Sequence, residues 1–282
     1  MIVLPESPSP EDVGNYYDRF DNHYRTLWGT HLHHGYWTTS TATPEAATTN
    51  LLDLCAQWLN PTPEKSLIDV GCGYGESGRY LNAKFGCSVT GFTVARKQFE
   101  LGTSLSQSTN TRIELADWVS WKGTPTKADG ILSLECLCHI ANKGQFFQKI
   151  AQTLKPKSRA FITFLAATER GSHHFQGTIL APLCHGAKFP SLTELKDLEP
   201  WLKAAKLRIV ESQDLTSAVQ RTWRIISGRA LQKLSVFPSE NRDTIKIGRK
   251  EIALSLNALR LQMGYWIGAV QYRFLVVEST QE

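Results

Sequence analysis

Residues 67–75 read Leu-Ile-Asp-Val-Gly-Cys-Gly-Tyr-Gly: an apolar strand runs into a turn with three glycines in five positions, and a helical pattern begins at Glu76. Glycine at such a turn admits positive φ and lets the backbone approach a ligand with no Cβ in the way. Two ligand classes use a loop of this kind. A dinucleotide site wants G-x-G-x-x-G, present in shifted register as Gly73, Gly75 and Gly78, together with an acid at the end of the next strand. That strand ends Gly91-Phe92-Thr93-Val94, without an acid. The other class places an acid two residues before the first glycine, and Asp69 through Gly75 fits D-x-G-x-G-x-G without gaps.

Around the loop, strand and helix patterns alternate. Strands are predicted at 66–70, 88–94, 112–115, 130–134 and 159–164, and helices at 46–58, 76–85, 96–106 and 143–154. Such spacing implies a doubly wound α/β fold. Residues 1–12 read as a Pro/Ser-rich, poorly ordered arm, and 15–37 are crowded with aromatics and histidines. Beyond residue 168 the alternation loosens. An irregular segment is expected over 169–190, a helix over 192–205, and strands over 208–214 and 273–278. Between those strands Ile252, Leu256, Leu259, Met263, Trp266 and Val270 recur at steps of three and four, a helix face expected to be core. The chain thus divides into an N-terminal arm and gateway segment (1–50), a ligand-binding core (51–168), and lid segments with C-terminal strands completing the same domain (169–282).

The Asp69–Gly75 loop resembles motif I of the class I S-adenosylmethionine-dependent methyltransferases. The stretch from Ser66 to Gln98 is similar to the lineage of tocopherol methyltransferases, sterol and geranyl diphosphate C-methyltransferases and cyclopropane fatty acid synthases. That lineage commonly ends its second strand in G-x-T with a glutamine five residues on, here Gly91, Thr93 and Gln98. Ala116-Asp117-Trp118 resembles its A-D segment. Residues 16–37 resemble its Y-Y-D…W-G-x-H-x-H-H-G segment, and 133–143 its stretch after strand four, with Cys138 standing where an acid is common. The resemblance implies a Rossmann-like methyltransferase sheet, mostly parallel with an antiparallel edge strand, plus N-terminal helices and a helical lid. It implies S-adenosyl-L-methionine as cofactor, leaving as S-adenosyl-L-homocysteine, held by Asp69, Gly71, Gly73, Gly75, Thr93, Gln98 and Asp117. Trp118 either covers the adenine or is plain core. Tyr16, Tyr24, Trp28 and His34 are expected over the methionine end.

For the chemistry, Glu135 and His139 lie four apart just past a strand end, where open α/β sheets bind ligands. If the chain turns helical there they share a face, with Glu135 as base and His139 as its partner. Alternatively Glu135 only orients the cofactor or the gateway segment. Tyr17, Trp223, Tyr265 and Trp266 are candidates for an acceptor pocket. Between Ser217 and Arg273 ten Lys/Arg stand against three acids, in a chain of net charge +5. These are either solvated helix faces or a site for an anionic acceptor. The expected reaction is methylation of a small hydrophobic isoprenoid or aromatic acceptor in secondary metabolism, first of all at carbon. N- or O-methylation, or cofactor binding without catalysis, are the alternatives. The sequence is silent on oligomeric state. Nucleic acid is not expected, since [DNS]-P-P-[YFW] is missing after strand four. No metal is expected either, because His31, His33 and His34 have no spaced acid or fourth ligand. The six cysteines include no C-x-x-C pair. No apolar run approaches a membrane span, and the first twelve residues lack a basic n-region, so a cytoplasmic location is expected.

Overall fold

The computed structural model describes residues 2–4, 6–29, 31–40, 42–123, 127–235 and 242–280. In chain order its elements are β1 (Ile2–Val3), α1 (Pro10–Trp28), α2 (Pro44–Leu59), β2 (Ser66–Val70), α3 (Glu76–Phe85), β3 (Ser88–Thr93), α4 (Arg96–Leu105), β4 (Thr111–Leu115), β5 (Ala128–Leu134), α5 (Lys143–Thr153) and β6 (Leu154–Ala167). They continue as α6 (Glu169–His174), α7 (Ala181–Ala187), β7 (Ser191–Leu192), α8 (Glu199–Ala204), β8 (Leu207–Asp214), α9 (Thr216–Val219), α10 (Arg221–Ser235), α11 (Arg242–Trp266) and β9 (Val270–Ser279).

Seven strands form one sheet in the order β4-β3-β2-β5-β6-β9-β8. The pairs from β4 to β6 are parallel. β9 runs antiparallel to both β6 and β8. The antiparallel strand therefore lies at the expected end of the sheet, one place in from its edge. The order reverses between β2 and β5, so the loops after these strands diverge and open a crevice at their carboxyl ends. Phe161 and Phe274 stack at 5.4 Å between β6 and β9, within the core on one side of the sheet. Among the described residues no helix is long and apolar enough to cross a membrane.

Helix α1 closes the crevice. It begins with Ser9 and Asp12 capping each other reciprocally around Pro10, which satisfies first-turn amides that have no helical partner. Gly14 then lets it touch the β3–α4 connection, where a Cβ would stand 2.3 Å from the Val94 carbonyl oxygen. One turn on, the Asp18 carboxylate accepts from the Arg96 and Lys97 amides at 3.2 and 2.8 Å, capping α4.

Four sequence expectations change. The N-terminal arm is tied down: β1 pairs with β7, α1 already starts at Pro10, and Leu4 is buried. Residues 169–190 are not irregular but carry α6, a π turn at Gln176–Leu180 and α7. The helix expected over 192–205 is only the 3-10 turn Leu195–Leu198 followed by α8. On α11 the apolar stripe faces outward: Ile252, Leu256 and Met263 are exposed, and Trp266 is 84% exposed. Leu254, Ala258, Leu261 and Tyr265 are buried instead, and Val270 belongs to β9. Both stripes have helical period. The inward one offers a small residue at Ala258 and a hydroxyl at Tyr265, which the packing surface uses.

Candidate functional site

The crevice is a cavity of about 380 Å³. Its floor is the glycine loop, where Gly71, Gly73 and Gly75 all hold positive φ (77°, 56° and 76°). A Cβ on Gly71 would lie 2.5 Å from Cys136 Sγ, and one on Gly75 2.6 Å from Ile113 Cδ1. The Gly71 and Cys72 amides both donate to the Phe92 carbonyl at 2.9 Å, locking the loop to β3. Asp69, one residue before the end of β2, is buried, and burial pushes its carboxyl up to about 7. Its Oδ2 has no hydrogen-bond partner.

Beyond the loop, the Thr93 hydroxyl donates to Gln98 Oε1 at 2.8 Å and accepts from the Ala95 amide. Asp117 accepts from the Val119 and Ser120 amides at 3.2 Å each. Trp118 lines the cavity and packs edge-on against core Phe146. An unpartnered buried carboxylate oxygen beside a backbone cradle that a Cβ would fill suits a ligand with donor groups, as S-adenosylmethionine has. Asp69, Gly71, Gly73, Thr93, Gln98 and Asp117 line the cavity and would hold it, while Gly75 is not among the lining residues.

The opposite wall comes from α1, the gateway segment and the lid. Tyr16 and Tyr24 bond through their hydroxyls at 3.0 Å. Trp28 packs on Tyr24 and, edge to face, on Trp223. Leu183, Phe189, Leu254 and Leu261 complete an apolar surface. Among the described residues lining the cavity there is no Lys or Arg. Of the basic lid residues, Arg221 stacks over Trp37 and Arg229 donates to the Leu27 carbonyl. Lys233, Arg242, Lys246, Arg249 and Lys250 carry side chains outside the described residues.

Glu135 and His139 both line the cavity, but each is bonded elsewhere. Glu135 sits at φ 61°, a left-handed conformation that costs a non-glycine residue about 1–2 kcal/mol. Its amide donates to the Thr163 carbonyl and hydroxyl oxygens, which holds it there. This kink ends β5, and Leu137–His139 forms a 3-10 turn, so the shared helical face expected for residues 135 and 139 does not form. Glu135 Oε1 accepts from the His34 amide at 2.5 Å and the Tyr272 hydroxyl at 3.0 Å, and lies 2.8 Å from His34 Nδ1. Burial raises its carboxyl, but the His34 ring and amide, with His33, outweigh that and hold it below the usual carboxylate range.

The indole N–H of Trp223 donates to His34 Nε2, with the Tyr265 hydroxyl 3.0 Å away. An indole only donates, so Nε2 is bare and the neutral His34 ring donates from Nδ1 to Glu135. Tyr265, expected at the acceptor, supports His34 from behind. Trp266 is correspondingly removed from the pocket: it faces solvent one residue beyond a side chain that faces in. Tyr17 does line the cavity and bonds His139 Nε2 at 2.9 Å. Burial lowers His139 to about 4, so its ring is neutral at neutral pH.

Sequence reasoning gave no functional role to Tyr272, whose buried hydroxyl reaches Glu135 from β9, nor to Tyr74, whose hydroxyl donates to Asp21 of α1 at 2.6 Å. Neither belongs to a spacing pattern. His33 was visible only as part of the His-x-His-His run. His31 and His33 pack edge to face at 5.2 Å, and among the described residues no group of three His, Cys, Asp or Glu could hold a metal ion.

The family described as mycolic acid cyclopropane synthetase matches residues 6–243. The 27-O-demethylrifamycin SV methyltransferase of Amycolatopsis mediterranei is 27% identical over 221 residues, covering 77% of this chain and 80% of its own. The chloroplastic tocopherol O-methyltransferase of Arabidopsis thaliana is 22% identical over 288 residues, covering 95% and 81%. A mycolic acid cyclopropane synthase solved with S-adenosylhomocysteine and CTAB has the same fold, with a TM-score of 0.82 at 18% identity over 98% of this chain and 100% of that one.

Proposed function

Because this chain belongs to the mycolic acid cyclopropane synthetase family and is an S-adenosylmethionine-dependent methyltransferase, we propose that it methylates a hydroxyl oxygen of a small, uncharged, hydrophobic natural product. The observation that carries this reading is the lid-side wall. Apart from Asn257, its described lid residues are aromatic and aliphatic, without a Lys or Arg to recruit a phosphate or carboxylate. The named activities of the curated relatives, a rifamycin-type and a tocopherol O-methyltransferase, support an oxygen acceptor.

The cofactor brings a methyl group already activated on a sulfonium sulfur. The protein's share is alignment and exclusion of water, and positioning of this kind contributes up to about 7–11 kcal/mol in favourable cases. In this reading the glycine loop, Thr93 and Gln98 fix the donor. The rings of Tyr17, Tyr24, Trp28 and Trp223 hold the acceptor in a dry space. Glu135 is a positioning residue: through His34 and Tyr272 it clamps the gateway segment and β9 across the end of β5. The Tyr17–His139 pair presents a neutral polar group toward the acceptor.

Methylation at an alkene carbon is the second reading, favoured by the same clustered aromatic faces, which can stabilise a carbocation. The test is mass spectrometry of a metabolite extract incubated with the protein and trideuteromethyl-labelled S-adenosylmethionine. A labelled ion that fragments with the label on oxygen is expected. Label on carbon moves the assignment to the second reading. No labelled small molecule, despite donor binding by calorimetry, overturns both.

A further inference from the structure

His33 Nδ1 lies 2.9 Å from the carbonyl oxygen of His34. A carbonyl can only accept, so Nδ1 carries the ring hydrogen, and in the neutral ring Nε2 is a bare lone pair. That Nε2 is buried without a hydrogen-bond partner, on a residue only 6% exposed that lines the cavity. An unmade buried acceptor is costly and calls for an explanation. Its neighbours place it. Leu32, one residue before, lies over the glycine loop, 3.7 Å from where a Gly73 Cβ would be. His34, one residue after, bonds Glu135 at the end of β5. His33 therefore stands between the donor's cradle and the carboxylate-held wall. Glu135 Oε1 is engaged by His34 and Tyr272, and His139 Nε2 by Tyr17. His31 Nδ1 and His139 Nδ1 are likewise buried without a partner, but burial lowers those rings to about 3 and about 4, which makes them weak bases.

We propose that His33 Nε2 is the catalytic base that removes the acceptor's hydroxyl proton, a role that rests on the oxygen-acceptor reading above. The O–H bond breaks and its proton moves to Nε2. The oxygen's electron pair forms the new bond to methyl, and the pair of the breaking sulfur–carbon bond stays on sulfur. The imidazolium later returns its proton to solvent. The groups facing the ring suit this cycle. Burial holds His33 below its usual pKa, so it starts neutral, while Glu135 and the His34 carbonyl favour the cation that forms. His31, in edge contact, and His34 are the other titratable neighbours.

The test uses His33→Asn, whose amide N–H can still face the His34 carbonyl but which has no basic atom, with His33→Gln as a second variant should Asn fail to fold. Three readouts judge it. Nitrogen-15 NMR of histidine-labelled wild-type protein should show, for the signal missing in the variant, a neutral ring protonated at Nδ1. A ring protonated at Nε2 overturns the proposal whatever the acceptor is. Calorimetry should give a donor Kd within threefold of wild type, and a tenfold or larger loss assigns His33 to the cofactor instead. Methylation of 1-naphthol from labelled donor should fall by about 100-fold or more, and that of the more acidic 4-nitro-1-naphthol, largely ionised at pH 8, by much less. Equal rates in variant and wild type overturn the role of His33 alone. A wild type that methylates neither naphthol counts against the oxygen-acceptor reading and removes the proton that this role requires.

Discussion

The cavity's floor is fixed by contacts between neighbours in the chain, while its roof is fixed by contacts that cross most of it. Thr93 bonds Gln98 five residues on, and Asp117 bonds amides two and three residues on. Across the cavity, His34 meets Glu135 over 101 residues, Trp223 over 189 and Tyr265 over 231, and Tyr17 meets His139 over 122. The floor is shaped by backbone conformation, so its tolerance is set by φ angles and missing Cβ atoms. The roof is shaped by side chains that satisfy one another, so it fails when one partner is removed. A cofactor common to many acceptors can rest on the first kind of wall, and an acceptor pocket can diverge on the second.

The difference can be broken at its sharpest point with Gly71→Val. A side chain at φ 77°, with its Cβ 2.5 Å from Cys136 Sγ, combines a left-handed penalty with overpacking, about 3 kcal/mol together. Calorimetry should then show donor affinity reduced by about 100-fold or more, and affinity within threefold of wild type would mean the loop does not carry the donor. On the roof, Glu135→Ala strands the His34 Nδ1–H and amide and the Tyr272 hydroxyl. Urea unfolding should reveal a loss of about 2–3 kcal/mol, with Glu135→Gln, which keeps an acceptor, losing less than half of that.

Acid should separate the walls by sign. His31 and His139 are held at about 3 and about 4 by burial, against 6.5 when unfolded, so between pH 6.5 and 4 the unfolded chain binds more protons and stability falls as pH falls. Asp69 acts oppositely. Its folded value of about 7 lies above the unfolded 3.8, so between these values the folded state binds its proton and gains stability as pH falls. From these three groups the net slope is one proton, about 1.4 kcal/mol per pH unit near pH 5. Melting temperatures of Asp69→Asn should decline more steeply on acidification than those of wild type, and parallel curves would show that Asp69 is ionised in the fold. The smallest effect belongs to Trp266→Ser. A side chain 84% exposed should change stability by no more than about 0.5 kcal/mol and leave turnover unchanged. A tenfold drop in turnover would return Trp266 to the acceptor site.

The sequence alone determined the floor. Three glycines after an acid and a strand dictate a tight turn that no side chain can follow, and the alternation of strands with helices dictates the sheet that carries it. These signals were legible because their causes, hydrophobic period and turn geometry, lie within a few residues. Only the tertiary structure decided the roof. Helix α11 carries two apolar stripes of the same period, and nothing local says which one the lid buries. The kink at Glu135 arises because β6 fixes its amide through Thr163, which breaks the helical spacing that would have paired it with His139. The His-x-His-His run names three histidines, but only the fold ties His34 to Trp223, Tyr265 and Glu135 and gives His33 its carbonyl. Such choices depend on which partners arrive from 100 or more residues away, and a side chain's role there is set by whatever hydrogen bond its neighbour leaves unmade.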